Sequence, residues 1–497
     1  MSRWSEKSLT QTELKHASVR GGVITFAAQL AKFVLNMAVT IWLAHILVPE
    51  DFGLVAMAMI IVNFFVLFKD AGFSVATIQQ ETVTHEQVSL LFWLNALIGL
   101  LLASILYFSA PFIVLFFHEP RLLEIVQVLS LVFVLGGLAI QHEALMRRQM
   151  RFRGLVVIEV LGLLCAAATA VLLAMSGAGY WAMVWMQVVA IVVRVVLLWV
   201  VMEWLPSLPA LKVGVRKMVV FGSELTFSNV IQYLSKQSDQ ILLGWWSGAH
   251  ALGLYSTAMQ MLMLPIRQIL APLTRVAVVT LSRMQSDAVG FRRTFLLLVR
   301  IVAYATMPLM AALAVLAEPV VKIFLGDQWL DVIPIVAILA CAGWILAVNN
   351  TMGWILMARG QGRRMLRWNM MMAPVMLLAF VCALPWGAVG MAWAFLLVIY
   401  ASRYFHFRYV LAGTAITLTD LCRAMLLPAS LSLCLALVGF TVVQLGESLL
   451  AWQTLLVSAF GMLLVLLLGL FLLAPLKREW AEIWQLLVSL KERKELS

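Results

Sequence analysis

Charge is scarce in this chain of 497 residues: 12% are Asp, Glu, Lys or Arg and 63% are hydrophobic. Ordinary globular domains carry roughly 25% charged residues. So little charge cannot cover a water-bounded surface, which excludes a soluble domain and leaves lipid as the solvent. Cysteine is rare as well. Cys165, Cys341, Cys382, Cys422 and Cys434 all lie in apolar runs and none forms a C-x-x-C pair. They read as small core hydrophobes, with no support for a disulfide framework or a metal site. The seven histidines are scattered and read as interfacial residues. No H-E-x-x-H, G-x-S-x-G or P-loop pattern occurs, so enzyme chemistry finds no support and no cofactor is implied. The net charge of +11 comes with no nucleic-acid-binding motif and no basic tail, so no nucleic acid is expected as a partner. A cleavable leader is not expected either. The first apolar run, near 21–47, is too long for a signal core and reads as a retained span.

What is present is a succession of apolar runs, each about 20 residues or a little longer, the length that crosses a bilayer as a helix. They fall near 21–47, 52–71, 86–109, 122–143, 154–175, 179–203, 217–243, 251–281, 294–318, 331–357, 366–386, 388–411, 422–444 and 449–474. The expectation is an all-α polytopic membrane protein with about fourteen transmembrane helices. Two divisions rest on turn chemistry alone, at Ser176-Gly177-Ala178-Gly179 and at Pro385-Trp386-Gly387. With a cytoplasmic N-terminus, nearly all loop cations share one side, from Lys69 and Arg147 to Arg408 and Arg423. The opposite loops hold only Arg121 and Lys322. By the positive-inside rule both ends are then cytoplasmic. In the segment 476–497, Trp480, Ile483, Trp484, Leu487 and Leu490 share one helical face, as an amphipathic tail on the cytoplasmic leaflet would.

The chain also resembles itself at a shift of 200 residues: Gly22 with Gly222, Gly53-Leu54 with Gly253-Leu254, Ala58 with Ala258. Pro111–Phe116 resembles Pro319–Phe324 at a slightly larger shift. Both halves would enter the membrane in the same sense, a parallel repeat. Two pseudo-symmetric six-helix lobes follow: 1–205 (helices 1–6) and 212–411 (helices 7–12). Two further helices, 412–475, form an appendage before the tail. The first helix of each lobe carries a polar stripe. Thr25, Gln29, Lys32, Asn36 and Thr40 recur every three or four residues, as do Asn229, Gln232, Lys236 and Gln240. Facing stripes at a lobe interface would line a wet cavity.

Six cations lie inside spans: Lys32, Arg194, Lys236, Arg267, Arg275 and Arg300. Each costs about 2.5–3.5 kcal/mol at the bilayer centre on insertion scales. Anions there are fewer: Glu159, Glu224 and Asp239, with Asp70 and Glu143 near span ends. Pairing with carboxylates, for instance Lys236 with Asp239, would be a structural explanation. An unpaired cationic cavity would suit an anionic passenger, since arginine and lysine both hold phosphate. The candidate substrate-binding cations are Lys32, Arg194, Lys236, Arg267 and Arg275, with Gln29, Asn36, Asn229, Gln232 and Gln240 as cavity polar groups. Glu224 and Asp239 are candidates for ion coupling. Pro265 is expected to bend its helix beside Arg267.

Several ordered motifs resemble a known family. They include Trp42-Leu43-Ala44, Pro49-Glu50-Asp51-Phe52-Gly53-Leu54, Asp70-Ala71-Gly72, Ile78-Gln79-Gln80 and Leu94-Asn95. Ala144-Leu145 through Arg151-Phe152, Phe221-Gly222, Asp239 through Gly244, Leu252-Gly253-Leu254-Tyr255, and Phe324-Leu325-Gly326 with Trp329 and Pro334 continue the series. Over roughly 15–415 the set is similar to the exopolysaccharide, colanic-acid type exporters. These form a branch of the multidrug/oligosaccharidyl-lipid/polysaccharide superfamily. The resemblance implies a flippase for undecaprenyl-diphosphate-linked repeat units, working by alternating access for exopolysaccharide, capsule or O-antigen assembly. Its implied partners are the lipid-linked oligosaccharide, membrane lipids, a polysaccharide polymerase/export complex, and H+ or Na+ for coupling. The alternatives are a lipid II-type precursor flippase, a cation-coupled multidrug exporter and, from another class, a membrane glycan polymerase or ligase. A positive interior argues against cationic drugs, and the lack of a large outer loop argues against a polymerase.

Overall fold

The computed structural model describes residues 29–69, 74, 77, 78, 83–209, 216–446 and 449–472, and for 216–232, 234, 235 and 468–472 the backbone alone. The tail 476–497, Thr25 and Asp70 lie outside the described residues. Regular structure among the described residues is helical throughout. That is what a hydrocarbon solvent demands, because a helix satisfies its own backbone hydrogen bonds. The chain divides into two compact units, the first ending at His250 and the second beginning at Ala251.

The first unit opens with α1, Gln29–Ala44, and α2, Pro49–Val66. Proline in the first turn of α2 loses no helical hydrogen bond, and the Val48 N–H donates to Asp51 Oδ2 at 3.3 Å. The helix α3, His85–Phe117, starts at a capping box. The Gln87 N–H donates to Thr84 Oγ1 at 3.3 Å and the Thr84 N–H donates back to Gln87 Oε1 at 3.0 Å. Next come α4, Leu122–Arg148, α5, Phe152–Met175, and α6, Trp181–Met202. The turn between α5 and α6 carries Gly177 and Gly179 at φ 82° and 57°, so the expected division stands at these glycines.

The helix α7, Arg216–Arg283, takes in both of the spans expected at 217–243 and 251–281. Its one residue with non-helical backbone angles is Gly248, at φ 77° and ψ −171°. No proline or polar loop separates the two arms, so a single residue makes the break. Pro265 and Pro272 both stay within helical backbone. The unit boundary falls two residues beyond Gly248.

The second unit continues with α8, Ala288–Val315, and the short α9, Ala317–Phe324. A 3-10 turn over Asp327–Val332 leads into α10, Ile333–Ala358. Then α11, Gly362–Ala383, ends in a 3-10 turn over Leu384–Trp386, and Gly387 at φ 59° starts α12, Gly387–Leu411. Last are α13, Leu418–Leu445, and α14, Ala451–Leu472. Packing follows one pattern in both units. α3 packs on α4, α5 on α6 and α4 on α6; likewise α8 packs on α10, α11 on α12 and α10 on α12.

Ten helical stretches among the described residues are long and apolar enough to cross a membrane, by length and composition. Two of them, Lys236–Arg283 and Gly362–Leu411, contain the breaks at Gly248 and Gly387. Gln29–Ala44 and Ala451–Leu467 are shorter apolar helices. The run expected at 86–109 continues instead through Pro111 to Phe117. At about 1.5 Å per residue such a helix overshoots the hydrocarbon core of about 30 Å. The outer faces are greasy: Phe108 and Phe112 are each 73% exposed and Leu115 72%. The five cysteines are all free and exposed, which corrects the reading of them as core residues. In a helix bundle wrapped by lipid the outward face is as apolar as the core, so hydrophobic surroundings in sequence do not identify the inside.

Small residues let α3 and α4 touch backbone to backbone. A Cβ added at Gly99 would lie 2.5 Å from Phe133 O, and one at Gly137 would lie 2.6 Å from Asn95 O. Gly137→Leu is therefore expected to lower the stability of the detergent-solubilised protein by about 1–3 kcal/mol. A thermal unfolding curve with the wild-type midpoint would show that the contact tolerates a side chain.

Candidate functional site

The described charges inside the helices sort into paired and unpaired. On α1, Gln29 and Asn36 are exposed while Lys32 and Thr40 are half-buried. The Lys32 Nζ donates to Glu159 Oε2 on α5, with the two side chains 23% and 27% exposed. On α6, Arg194 Nη2 donates to Glu143 Oε2 of α4. Glu143 Oε1 also accepts from Arg147, at 2.7 Å. Two of the five cations expected to hold an anion thus already hold carboxylates of the same unit. This corrects the expectation of an unpaired set: pairs made across 127 and 51 residues leave no trace in local spacing.

Lys236, Arg267 and Arg275 differ. All three are exposed, and none has a carboxylate within 4.0 Å among the described residues. Lys236 therefore does not pair with Asp239, which is 6% exposed and whose Oδ1 accepts the Gln240 N–H at 2.8 Å. Gln240 is half-buried. Arg267 and Arg275 are eight residues apart on α7, about 12 Å along a helix axis, and Gln260 and Gln268 are exposed on the same arm. Arg300 is half-buried on α8. The side chains of Glu224, Asn229 and Gln232 lie outside the described residues.

The loops between spans obey simpler electrostatics. Arg121 bonds Glu119 at 2.8 Å and Glu50 at 2.5 Å. Its guanidinium holds the Glu119 carboxyl below the usual carboxylate range. Lys322 pairs with Glu318 at 2.6 Å. Arg121 and Lys322 are thus each neutralised locally.

Several polar groups inside the bundle escaped the sequence reading. His142 is fully buried, not interfacial. Its ring stacks on Trp199 at 4.6 Å and lies 3.2 Å from the Trp204 carbonyl. His406, 8% exposed, stacks on Trp368 at 4.6 Å, and its Nδ1 meets Asn349 Oδ1 at 2.5 Å. Arg403 lies within α12. It donates back to the Ile399 carbonyl and to Ser402 Oγ, while its buried Nη1 has no partner. Lys69, counted as a loop cation, lies over α4, where a Cβ added at Gly136 would fall 2.1 Å from its Nζ. Aromatic neighbours within one turn could have flagged His406, between Phe405 and Phe407, but nothing near His142 signals burial. No group of three or more metal-ligating side chains occurs among the described residues.

A family model described as "Polysaccharide biosynthesis protein" matches residues 27–334. The chain belongs to this polysaccharide biosynthesis family. The match runs from α1 into the first turn of α10, so it takes in Lys32, Arg194, Lys236, Arg267 and Arg275 and leaves Arg403 and His406 outside. Among curated proteins, this family member is similar to the teichuronic acid biosynthesis protein TuaB of Bacillus subtilis (strain 168), 27% identical over 66% of this chain and 69% of TuaB. It is also similar to the succinoglycan biosynthesis transport protein ExoT of Rhizobium meliloti (strain 1021), 28% identical over 70% of this chain and 69% of ExoT. Its fold is that of the lipid II flippase MurJ in an inward closed conformation, with a TM-score of 0.69 at 14% identity over 90% of this chain and 98% of MurJ. An inward-facing multidrug resistance MATE family transporter of the MOP superfamily shares it too, at a TM-score of 0.59 and 13% identity over 77% of this chain and 95% of that one. The polysaccharide biosynthesis family member is thus a multi-pass membrane protein that shares its fold with these two proteins.

Removing Glu143 would strand Arg194 inside the first unit. Glu143→Ala is expected to cost about 1.5–3 kcal/mol, and Arg194→Ala in the same background should recover part of that loss. A double-mutant cycle on thermal stability reads the coupling; additive losses would mean that the pair contributes nothing.

Proposed function

We propose that this protein is a flippase that moves an undecaprenyl-diphosphate-linked oligosaccharide from the cytoplasmic to the periplasmic leaflet of a bacterial inner membrane. The family, the relatives named for teichuronic acid and succinoglycan biosynthesis, and the MurJ-like fold all support a lipid-linked saccharide as passenger. The observation that carries the reading is the presence of three exposed helix cations, Lys236, Arg267 and Arg275, with no carboxylate beside them among the described residues. A membrane protein retains such groups at a cost, and a diphosphate headgroup is the ligand that repays it.

In this reading the two lobes, 1–205 and 212–411, work by alternating access, with helices 412–475 appended. Both termini are cytoplasmic, as the loop cations suggest. Lys32 and Arg194 exchange their carboxylates for the passenger's phosphates during the cycle. Gln29, Asn36, Asn229, Gln232 and Gln240 meet the sugar. Glu224 and Asp239 are the groups proposed to couple H+ or Na+ entry to the reset. A polymerase/export complex receives the product.

Transport of a fluorescent prenyl-diphosphate oligosaccharide into proteoliposomes tests the proposal. Losing one charge-assisted phosphate contact is worth about 1.5–3 kcal/mol. Arg267→Gln and Arg275→Gln should accordingly each slow flipping by about 10- to 100-fold. Wild-type rates in both variants would sink the cationic route.

A further inference from the structure

The inner face of any membrane transporter is surrounded by anionic lipids that vastly outnumber its passenger. A phosphatidylglycerol headgroup is a phosphodiester with a single negative charge, and it meets a bare ammonium or guanidinium as readily as a passenger's phosphate does. A flippase that depends on cations needs a means of refusing it.

The first unit contains such a means. Lys32 sits on the polar stripe of α1, between the exposed Gln29 and Asn36. Its ammonium is taken by the Glu159 carboxylate of α5, not by solvent. Neither side chain is sealed off, at 23% and 27% exposed, so a headgroup can reach the pair. Among the described residues neither makes a further hydrogen bond or ion pair. Among the described residues the ammonium is thus held by that one anion, and a competitor there has one contact to break.

We propose that Glu159 is a selectivity residue, an internal stand-in for a singly charged anion that keeps phosphodiester lipids off Lys32 and yields to a diphosphate. The inference rests on the flippase reading, which makes Lys32 part of the route. A phosphodiester that displaces Glu159 trades one negative charge for one and leaves a bare carboxylate behind. It gains no net attraction and pays desolvation of both anions. A diphosphate brings a second charge and more acceptor oxygens, so its exchange with Glu159 is favourable where the phosphodiester's is not. Specificity here comes from a built-in competitor acting against the abundant wrong ligand. The neutral amide of Glu159→Gln removes the competitor while keeping the size of the side chain, and then a single charge suffices to engage Lys32.

The test is competition between phosphatidylglycerol and a fluorescent prenyl-diphosphate monosaccharide for the full-length protein in detergent, counted by native mass spectrometry. The wild type should retain the diphosphate lipid in preference to phosphatidylglycerol. In E159Q the preference should fall by about tenfold, a shift of about 1.4 kcal/mol, through gained phosphatidylglycerol binding. E159D, which restores the charge, should return the preference. K32Q/E159Q, which removes the cation as well, should lose the phosphatidylglycerol gained by E159Q. An unchanged ratio in E159Q, or a gain that persists in K32Q/E159Q, overturns the proposal. Proteoliposome flipping by the same wild-type sample separates the two readings. If the diphosphate lipid is flipped but the ratio does not move, only the role of Glu159 is lost. If wild-type protein neither binds nor flips it, the flippase reading itself falls and takes this inference with it.

Discussion

Hydrocarbon offers no partner to a charge or a backbone amide, and the structure follows from that constraint. Every described segment of regular structure is helical because only a helix closes its own hydrogen bonds in lipid. Every cation within a helix must either find a carboxylate, lie where water or a ligand can reach it, or bend back to its own backbone. Lys32 and Arg194 take the first course, Arg267 and Arg275 are exposed, and Arg403 takes the third by bonding to the Ile399 carbonyl.

The same constraint shapes packing. Between helices in lipid there is no hydrophobic gain from association, so contact depends on close approach and on polar ties. Gly99 and Gly137 bring the α3 and α4 backbones together, and Gly53 does the same toward Ala249, whose carbonyl would lie 1.7 Å from an added Cβ. Polar ties supplement these contacts: the Tyr233 hydroxyl donates to the Ile60 carbonyl at 2.7 Å, and the Trp344 indole donates to Ser432 Oγ at 2.8 Å. Around Trp204 the ties cluster. Its indole N–H donates to His85 Nδ1 at 3.1 Å, and its carbonyl meets His142, so the segment after α6 is fastened to α3 and α4.

Charge pairing then varies from one cation to the next. In the first unit the half-buried Lys32 and Arg194 hold carboxylates of neighbouring helices, and a ligand must compete for them, while the exposed Lys236 has none among the described residues. In the second, Arg292 is paired with Asp420, and Arg267, Arg275 and Arg403 have no carboxylate among the described residues. Similar helix packing can carry different electrostatics because the pairing depends on single side chains and the fold does not.

Much of this was legible without coordinates. Apolar run length announced a membrane bundle, and the glycines of Ser176–Gly179 and Pro385–Gly387 announced the turns, since length and positive-φ geometry are local properties. Other features were hidden. That α7 breaks at the single residue Gly248, with no proline or polar loop to mark it, and that α3 runs on through Pro111, where proline removes a helical hydrogen bond, are not written in local composition. The exposure of the cysteines and the burial of His142 could not be read because lipid-facing and core-facing residues are equally apolar. Sequence alone determined that the chain lives in a bilayer as a set of apolar helices with cations within them. Which of those cations are already spoken for was decided only in three dimensions, because a carboxylate 127 residues away neutralises a lysine through space and leaves no mark on the order of the chain.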